Sequence, residues 1–131
     1  MPRILLADDH PKVRRHVRDA LETQKGWEVC GEASTGREAV AMTEIYMPDI
    51  VVLDLSMPEL NGLEAAREIT KRFPHTVVFI LTMHDAHELI REVLAAGARA
   101  CLTKSNLQHL IDEVQNVRKQ LAEVNSSLPQ D

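Results

Sequence analysis

Aromatic side chains are scarce in this sequence: two Phe, one Trp and one Tyr among 131 residues. Ala, Val, Ile and Leu must therefore build the core, which suits small-residue helices packed on a sheet. Cysteine is too rare for a disulfide framework. Cys30 and Cys101 make no metal-ligand spacing and fit a reducing compartment. No apolar run approaches the length of a membrane span. The start, Met1-Pro2-Arg3 and then Ile4–Ala7, is too short for a signal peptide and meets Asp8 and Asp9 at once. A cytoplasmic protein with no membrane partner is expected. Positive charge is also in deficit. The net charge of −5 argues against nonspecific nucleic-acid binding, which needs a basic face, so no direct contact of this chain with nucleic acid is expected. Neither an internal repeat nor a low-complexity segment is evident.

The length suits one domain with a real core. That domain is expected over residues 1–125, with 126–131, which holds Ser126-Ser127 and Pro129, as a tail or the start of a linker. Five short apolar runs alternate with five helical patterns. The runs are Ile4–Ala7, Trp27–Ala33, Ile50–Leu53, Val77–Leu81 and Ala100–Leu102. Runs one, three and four are continuously apolar, as central strands of a parallel sheet are. The second alternates through Glu28 and Glu32, as an edge strand does. Helix starts are marked by Pro11 at a first helical position and by capping-box spacings at Thr35/Glu38, Asn61/Glu64, Asp85/Glu88 and Ser105/Gln108. Stripes at helical spacing follow: Val13, Val17, Ala20, Leu21; then Leu63, Ala66, Ile69; then Leu89, Ile90, Val93. Gly26 and Gly97 stop the first and fourth helices. The order implies an α/β fold, a (βα)5 flavodoxin-like domain whose five-stranded parallel sheet has helices on both faces.

Acids stand where strands end: Asp8 and Asp9 after the first, Asp54 after the third. Ligands of open parallel sheets bind at the carboxyl ends of strands, beside the point where the winding reverses. Three carboxylates gathered there stay ionised only if a cation neutralises them. Oxygen ligands with room for water favour Mg2+. The bland alternative for Asp8-Asp9 is an acidic lead into a helix, favourable to its dipole. An acid ending Ile50-Val51-Val52-Leu53 has less structural excuse. Thr82 and Lys104 end the fourth and fifth strands. Taken alone, one suits a turn and the other a solvated surface. Together with the acids they supply donors and positive charge for a phosphoryl group.

The pattern Asp8-Asp9, Leu53-Asp54-Leu55-Ser56-Met57-Pro58, Asn61-Gly62, Leu81-Thr82 and Gly97-Ala98 ahead of Lys104 resembles the receiver domain of two-component response regulators, over residues 3 to 116. The segment Ala7-Asp8-Asp9-His10-Pro11 most resembles the NarL/LuxR-type subfamily, whose receivers usually precede a helix-turn-helix domain. The resemblance implies a strand order of 2-1-3-4-5, which would put Cys30 and Cys101 on opposite edges. It also implies Asp54 as phosphoacceptor, and Mg2+ held by Asp9, by Asp8 largely through water, by Asp54 and by the backbone carbonyl of Ser56. Thr82 and Lys104 would bind phosphoryl oxygens. The implied partners are a sensor histidine kinase or a small phosphodonor. The implied chemistry is the domain's own phosphoryl uptake and loss, with no separate substrate. Two positions depart from the family pattern. Cys101 stands where an aromatic is usual, so the inward swing of a ring cannot occur in that form. Ser105 follows the lysine where Pro is common, which makes a cis peptide costlier there.

Rival readings fare worse. Aspartyl-phosphate phosphatases need a second acid where this chain has Ser56. A nucleotide or flavin binder needs a Gly-rich loop after the first strand, where Asp8-Asp9 would repel phosphate. A receiver-like module that is never phosphorylated remains open. His10 is expected to help cap the first helix, with a role in shaping the acidic pocket as the alternative. His84 would overhang the site and Asp85 would cap a helix. Finally, Leu107, Leu110, Val114, Val117, Leu121, Val124 and Leu128 recur at spacings of three and four. The second half of that helix is expected to project past the sheet and expose Val117, Leu121 and Val124. Either it leads into a linker, or its seam over 107–124 pairs with an effector domain or a second copy.

Overall fold

A computed structural model describes residues 2–83 and 87–127; the side chains of His87 and of residues 121–127 fall outside the description. Strands and helices alternate: β1 (Arg3–Ala7), α1 (Pro11–Glu22), β2 (Glu28–Ala33), α2 (Gly36–Tyr46), β3 (Ile50–Asp54), α3 (Gly62–Arg72), β4 (Val77–Thr82), a 3-10 turn (His87–Leu89), α4 (Ile90–Ala95), β5 (Ala100–Thr103) and α5 (Leu107–Ser127). The sheet is parallel throughout, in the order β2-β1-β3-β4-β5. This is the expected (βα)5 flavodoxin-like fold. Cys30 and Cys101 lie on opposite edge strands, β2 and β5.

The sheet separates two apolar layers. On one side Ile4, Leu6, Ile50, Val52, Phe79 and Leu81 pack against Val17 and Leu21 of α1 and Leu110, Ile111, Val114 and Val117 of α5. On the other side Leu5, Val51, Leu53, Val78 and Ile80 meet a layer rich in alanine, including Ala39, Ala65, Ala66 and Ala96. Alternate residues of β1, β3 and β4 thus point to opposite faces, and all but Arg3 and Val77, which open β1 and β4, are buried. This explains why those runs are apolar without a break.

Most helix boundaries follow from the caps. Pro11 opens α1. The Thr35 side chain accepts from the Glu38 N–H, and Asn61 with Glu64 forms a complete capping box. Gly97 follows α4 at φ +94, a conformation suited to glycine, and an added Cβ would fall 2.5 Å from Thr70 Oγ1.

Four expectations need correction. Asn106, not Ser105, caps α5: its Oδ1 accepts from the His109 N–H at 3.3 Å, while Ser105 Oγ lies 3.1 Å from Thr103 Oγ1. The helix starts one residue later than the Ser105/Gln108 spacing suggested, and Gln108 reaches forward to Asp112 instead. The fourth helix opens as a 3-10 turn, and Ile90 is 40% exposed, off the core face that Val93 occupies. Asp85, expected as its cap, lies outside the described residues. Val117 is buried at 3% exposure, not projecting. It stands ten residues past Leu107, about 15 Å along a helix, and a five-residue strand spans about 17 Å, so the sheet still covers it. Lastly, α5 continues through Ser127, past the boundary expected at residue 126.

Candidate functional site

The register of the strands decides what meets at their carboxyl ends. Ala7 pairs beside Leu53, Asp54 beside Leu81, and Thr82 beside Thr103. One residue further on, the chain leaves the sheet at Asp8, Leu55, Met83 and Lys104. Backbone hydrogen bonds hold those exits: the Asp8 N–H donates to Ala33 O at 3.0 Å, Leu55 N–H to Leu81 O at 2.9 Å, and Lys104 N–H to Thr82 O at 2.8 Å.

The side chains then converge. Lys104 Nζ lies 2.8 Å from Asp8 Oδ2 and 2.9 Å from Asp54 Oδ1, with all three side chains buried. Asp9 is partly exposed at the rim of an open cleft of about 630 Å3 that Ser56, Met57, Pro58, Asn61 and Leu89 also line. Thr82 is buried as the last residue of β4, next to the Lys104 backbone. Gly62 lets the turn after Asp54 close, since an added Cβ would lie 2.3 Å from the Asp54 carbonyl oxygen. Leu60, in the same turn, takes φ +115, a strained conformation for a leucine. The Lys104–Ser105 peptide is trans. His84 lies outside the described residues.

The electrostatics are unbalanced. Burial pushes the Asp54 carboxyl above its ordinary range, and the charge of Asp8 adds to this. The Lys104 ammonium and a hydrogen bond from the Ser56 backbone pull the other way without winning. Burial alone would lower the Lys104 pKa, but its hydrogen bonds to Asp8 and Asp54 raise it overall. One ammonium thus serves two buried carboxylates, with Asp9 alongside. The site carries excess negative charge.

The residues fit a divalent cation. Asp8, Asp9, His10 and Asp54 each offer one ligand atom, all within 4.8 Å of one another. Asp9 Oδ1 is itself buried and has no hydrogen-bond partner among the described residues, although His10 Nδ1 stands 3.0 Å away. A buried anionic oxygen without a donor is what a cation would satisfy.

Residues 4–115 match the model of the response regulator receiver domain family. The chain belongs to that family. It is 43% identical over 98 residues to the uncharacterized transcriptional regulatory protein YhcZ of Bacillus subtilis, covering 75% of this chain and 46% of that protein. It is 38% identical to the response regulator UvrY of Escherichia coli, covering 89% of this chain and 54% of that one. This receiver therefore spans about half the length of those curated relatives. Among solved structures, a LuxR-family two-component response regulator from Aurantimonas superposes with a TM-score of 0.85 at 35% identity, covering 89% of this chain and 84% of the other. The resemblance to NarL/LuxR-type receivers read from residues 7–11 holds.

All the expected acids, Thr82 and Lys104 thus reach one end of the sheet. What the sequence did not disclose is how Asp8 is held. Arg14 Nη1 donates to the Asp8 carbonyl at 2.7 Å and Arg14 Nε to Glu32 Oε1 at 3.1 Å, bracing the loop after β1 against β2. Nothing in local spacing links residue 14 to residues 8 and 32. No described helix is long and apolar enough to cross a membrane.

Proposed function

We propose that this receiver is a phosphorylation-dependent switch whose phosphoacceptor is Asp54. A carboxylate oxygen of Asp54 attacks phosphorus as the bond from phosphorus to its donor breaks. The donor is the phosphohistidine of a sensor histidine kinase, or a small phosphodonor. The observation that carries this reading is the buried triangle of Asp8, Lys104 and Asp54, with Lys104 Nζ within 2.9 Å of both acids. A buried ammonium already at the nucleophile stands ready to pair with a phosphoryl oxygen. Asp8, Asp9, Asp54 and the Ser56 carbonyl would hold Mg2+, which when bound supplies charge neutralisation for the transferring group. Thr82, at the end of the neighbouring strand, would donate its hydroxyl to a second phosphoryl oxygen. The domain acts on no separate substrate and catalyses only its own phosphoryl uptake and loss.

A new dianionic group on Asp54 redirects Lys104 away from the acids and biases the adjoining surface. That surface exposes Met83, Ile90 and Leu94, apolar side chains for an output partner to read. Cys101 is half-buried behind it against the alanine-rich layer, so the response there runs through backbone and loop rather than an aromatic ring. An effector domain or a second copy could not use the α5 seam as far as Val117, because Leu110, Val114 and Val117 are spent on the core. It would have to engage the helix beyond that point.

Acetyl phosphate with Mg2+, followed by intact mass, tests the reading. Wild type should gain one phosphoryl group, and Asp54→Asn should gain none. Uptake that persists in the variant would overturn the assignment.

A further inference from the structure

His10 is the one member of the four-residue cluster that the scheme above leaves idle. Its place is tightly set. The residue caps α1 in an extended conformation (φ −100, ψ 105), Pro11 follows it, and its N–H donates to Asp8 Oδ1 at 2.8 Å. Capping does not account for the ring, because the side chain makes no cap hydrogen bond. Instead Nδ1 faces the acids, 3.0 Å from Asp9 Oδ1 and 3.4 Å from Asp8 Oδ1. Neighbouring ligand atoms around a small octahedral cation, with bonds of roughly 2.1 Å, sit about 3 Å apart. The nitrogen stands 3.0 and 3.4 Å from the two oxygens, near such spacings, and Asp9 Oδ1 is a buried oxygen with no hydrogen bond among the described residues.

We propose that His10 Nδ1 is a direct ligand of the cation in this site, and that it shifts the preference toward divalent transition cations such as Mn2+, Co2+ and Ni2+. Mg2+ takes hard oxygen donors and gains little from an imidazole. Transition cations bind imidazole well, in the order Mn2+, Co2+, Ni2+. The inference rests on the cation site invoked above and adds a specificity-determining residue to it.

Calorimetric titrations of wild type, His10→Asn and Asp9→Ala with Ni2+ and with Mg2+ test it. Asn keeps a residue able to cap α1. His10→Asn should lose at least about tenfold in Ni2+ affinity, the scale even of outer-shell partners, and less than about twofold for Mg2+. Electron spin-echo spectra of bound Mn2+ should show nitrogen coupling in wild type and none in His10→Asn or Asp9→Ala. The Asp9→Ala arm separates this site from surface histidines. If Mn2+ binds without nitrogen coupling, or Ni2+ affinity is equal in wild type and His10→Asn, the His10 assignment fails while the cation site stands. If wild type binds neither Mg2+ nor Ni2+, the cation site itself fails.

Discussion

Val51, Val52 and Leu53 are completely buried, and Asp54, the next residue of the same strand, is buried almost as fully. The two parts of β3 nevertheless act in opposite directions. Each valine and the leucine stabilise the fold by leaving water. Asp54 opposes it, because burial disfavours its charge and a single ammonium is shared with Asp8. The strand interior provides the rigidity against which the charged end can be held. The charged end is where a cation or a phosphoryl group, if bound as proposed, would find unspent interaction energy.

The contrast breaks most severely in the interior. Phe79 is wholly buried at the centre of the α1/α5 layer. Phe79→Ala should cost about 3–5 kcal/mol, removed contacts and cavity together. Chemical denaturation would measure it, and Mg2+ should not repair it.

At the charged end, Lys104→Ala strips Asp8 and Asp54 of their shared ammonium. A loss of about 3 kcal/mol is expected, the low end for breaking a buried pair from one side. Here, unlike in the interior, millimolar Mg2+ should recover part of the loss by binding only the native state. A variant equally destabilised with and without Mg2+ would erase the distinction between the two regions.

A smaller effect sharpens the boundary of the interior. Val117→Ala should cost about 1.5 kcal/mol, two buried methyl groups at about 0.8 each. Had the seam of α5 already left the sheet at that residue, the cost would stay within about 0.5 kcal/mol. Thermal unfolding of the variant separates the two outcomes.

Val117 also marks where sequence reasoning stops. Periodicity correctly placed Leu110, Val114 and Val117 on one stripe, because a helix repeats its face by geometry alone. How far the sheet extends beneath that stripe depends on tertiary packing, which periodicity does not encode. The same limit explains Ile90, which falls in a plausible stripe with Leu89 and Val93, yet the helix opens as a 3-10 turn and rotates it outward. The cap at Asn106 was missed because Ser105 and Asn106 are both good capping residues, and only the hydrogen bond to His109 decides between them. The site was easier to read. Acids, Thr82 and Lys104 sit at strand ends, and a parallel sheet delivers every strand end to the same edge. Which carboxylate would pair with Lys104, and that Arg14 would clamp the Asp8 backbone, arose only from side chains meeting across elements.

The smallest effect should run opposite to all the others. Asp54→Asn keeps the shape of the side chain and removes one negative charge, leaving Asp8 and Lys104 as a balanced pair. The folded-state pKa of Asp54 lies above its ordinary value of 3.8, so its ionised form is worse accommodated in the folded chain than in the unfolded one. Its contribution to stability is therefore fully present below that ordinary value and is lost as pH rises through the raised one. At neutral pH without metal, the variant should melt slightly higher than wild type. The gap should close on acidification through the same interval, where the wild-type carboxyl takes up its proton. Added Mg2+ should also close or reverse it, because the cation favours the carboxylate that Asn lacks. Melting curves across pH, with and without Mg2+, read all three responses. A metal-free Asp54→Asn protein that melts lower than wild type at neutral pH would mean that Asp54 is stabilised where it sits, and that the two ends of β3 do not oppose each other.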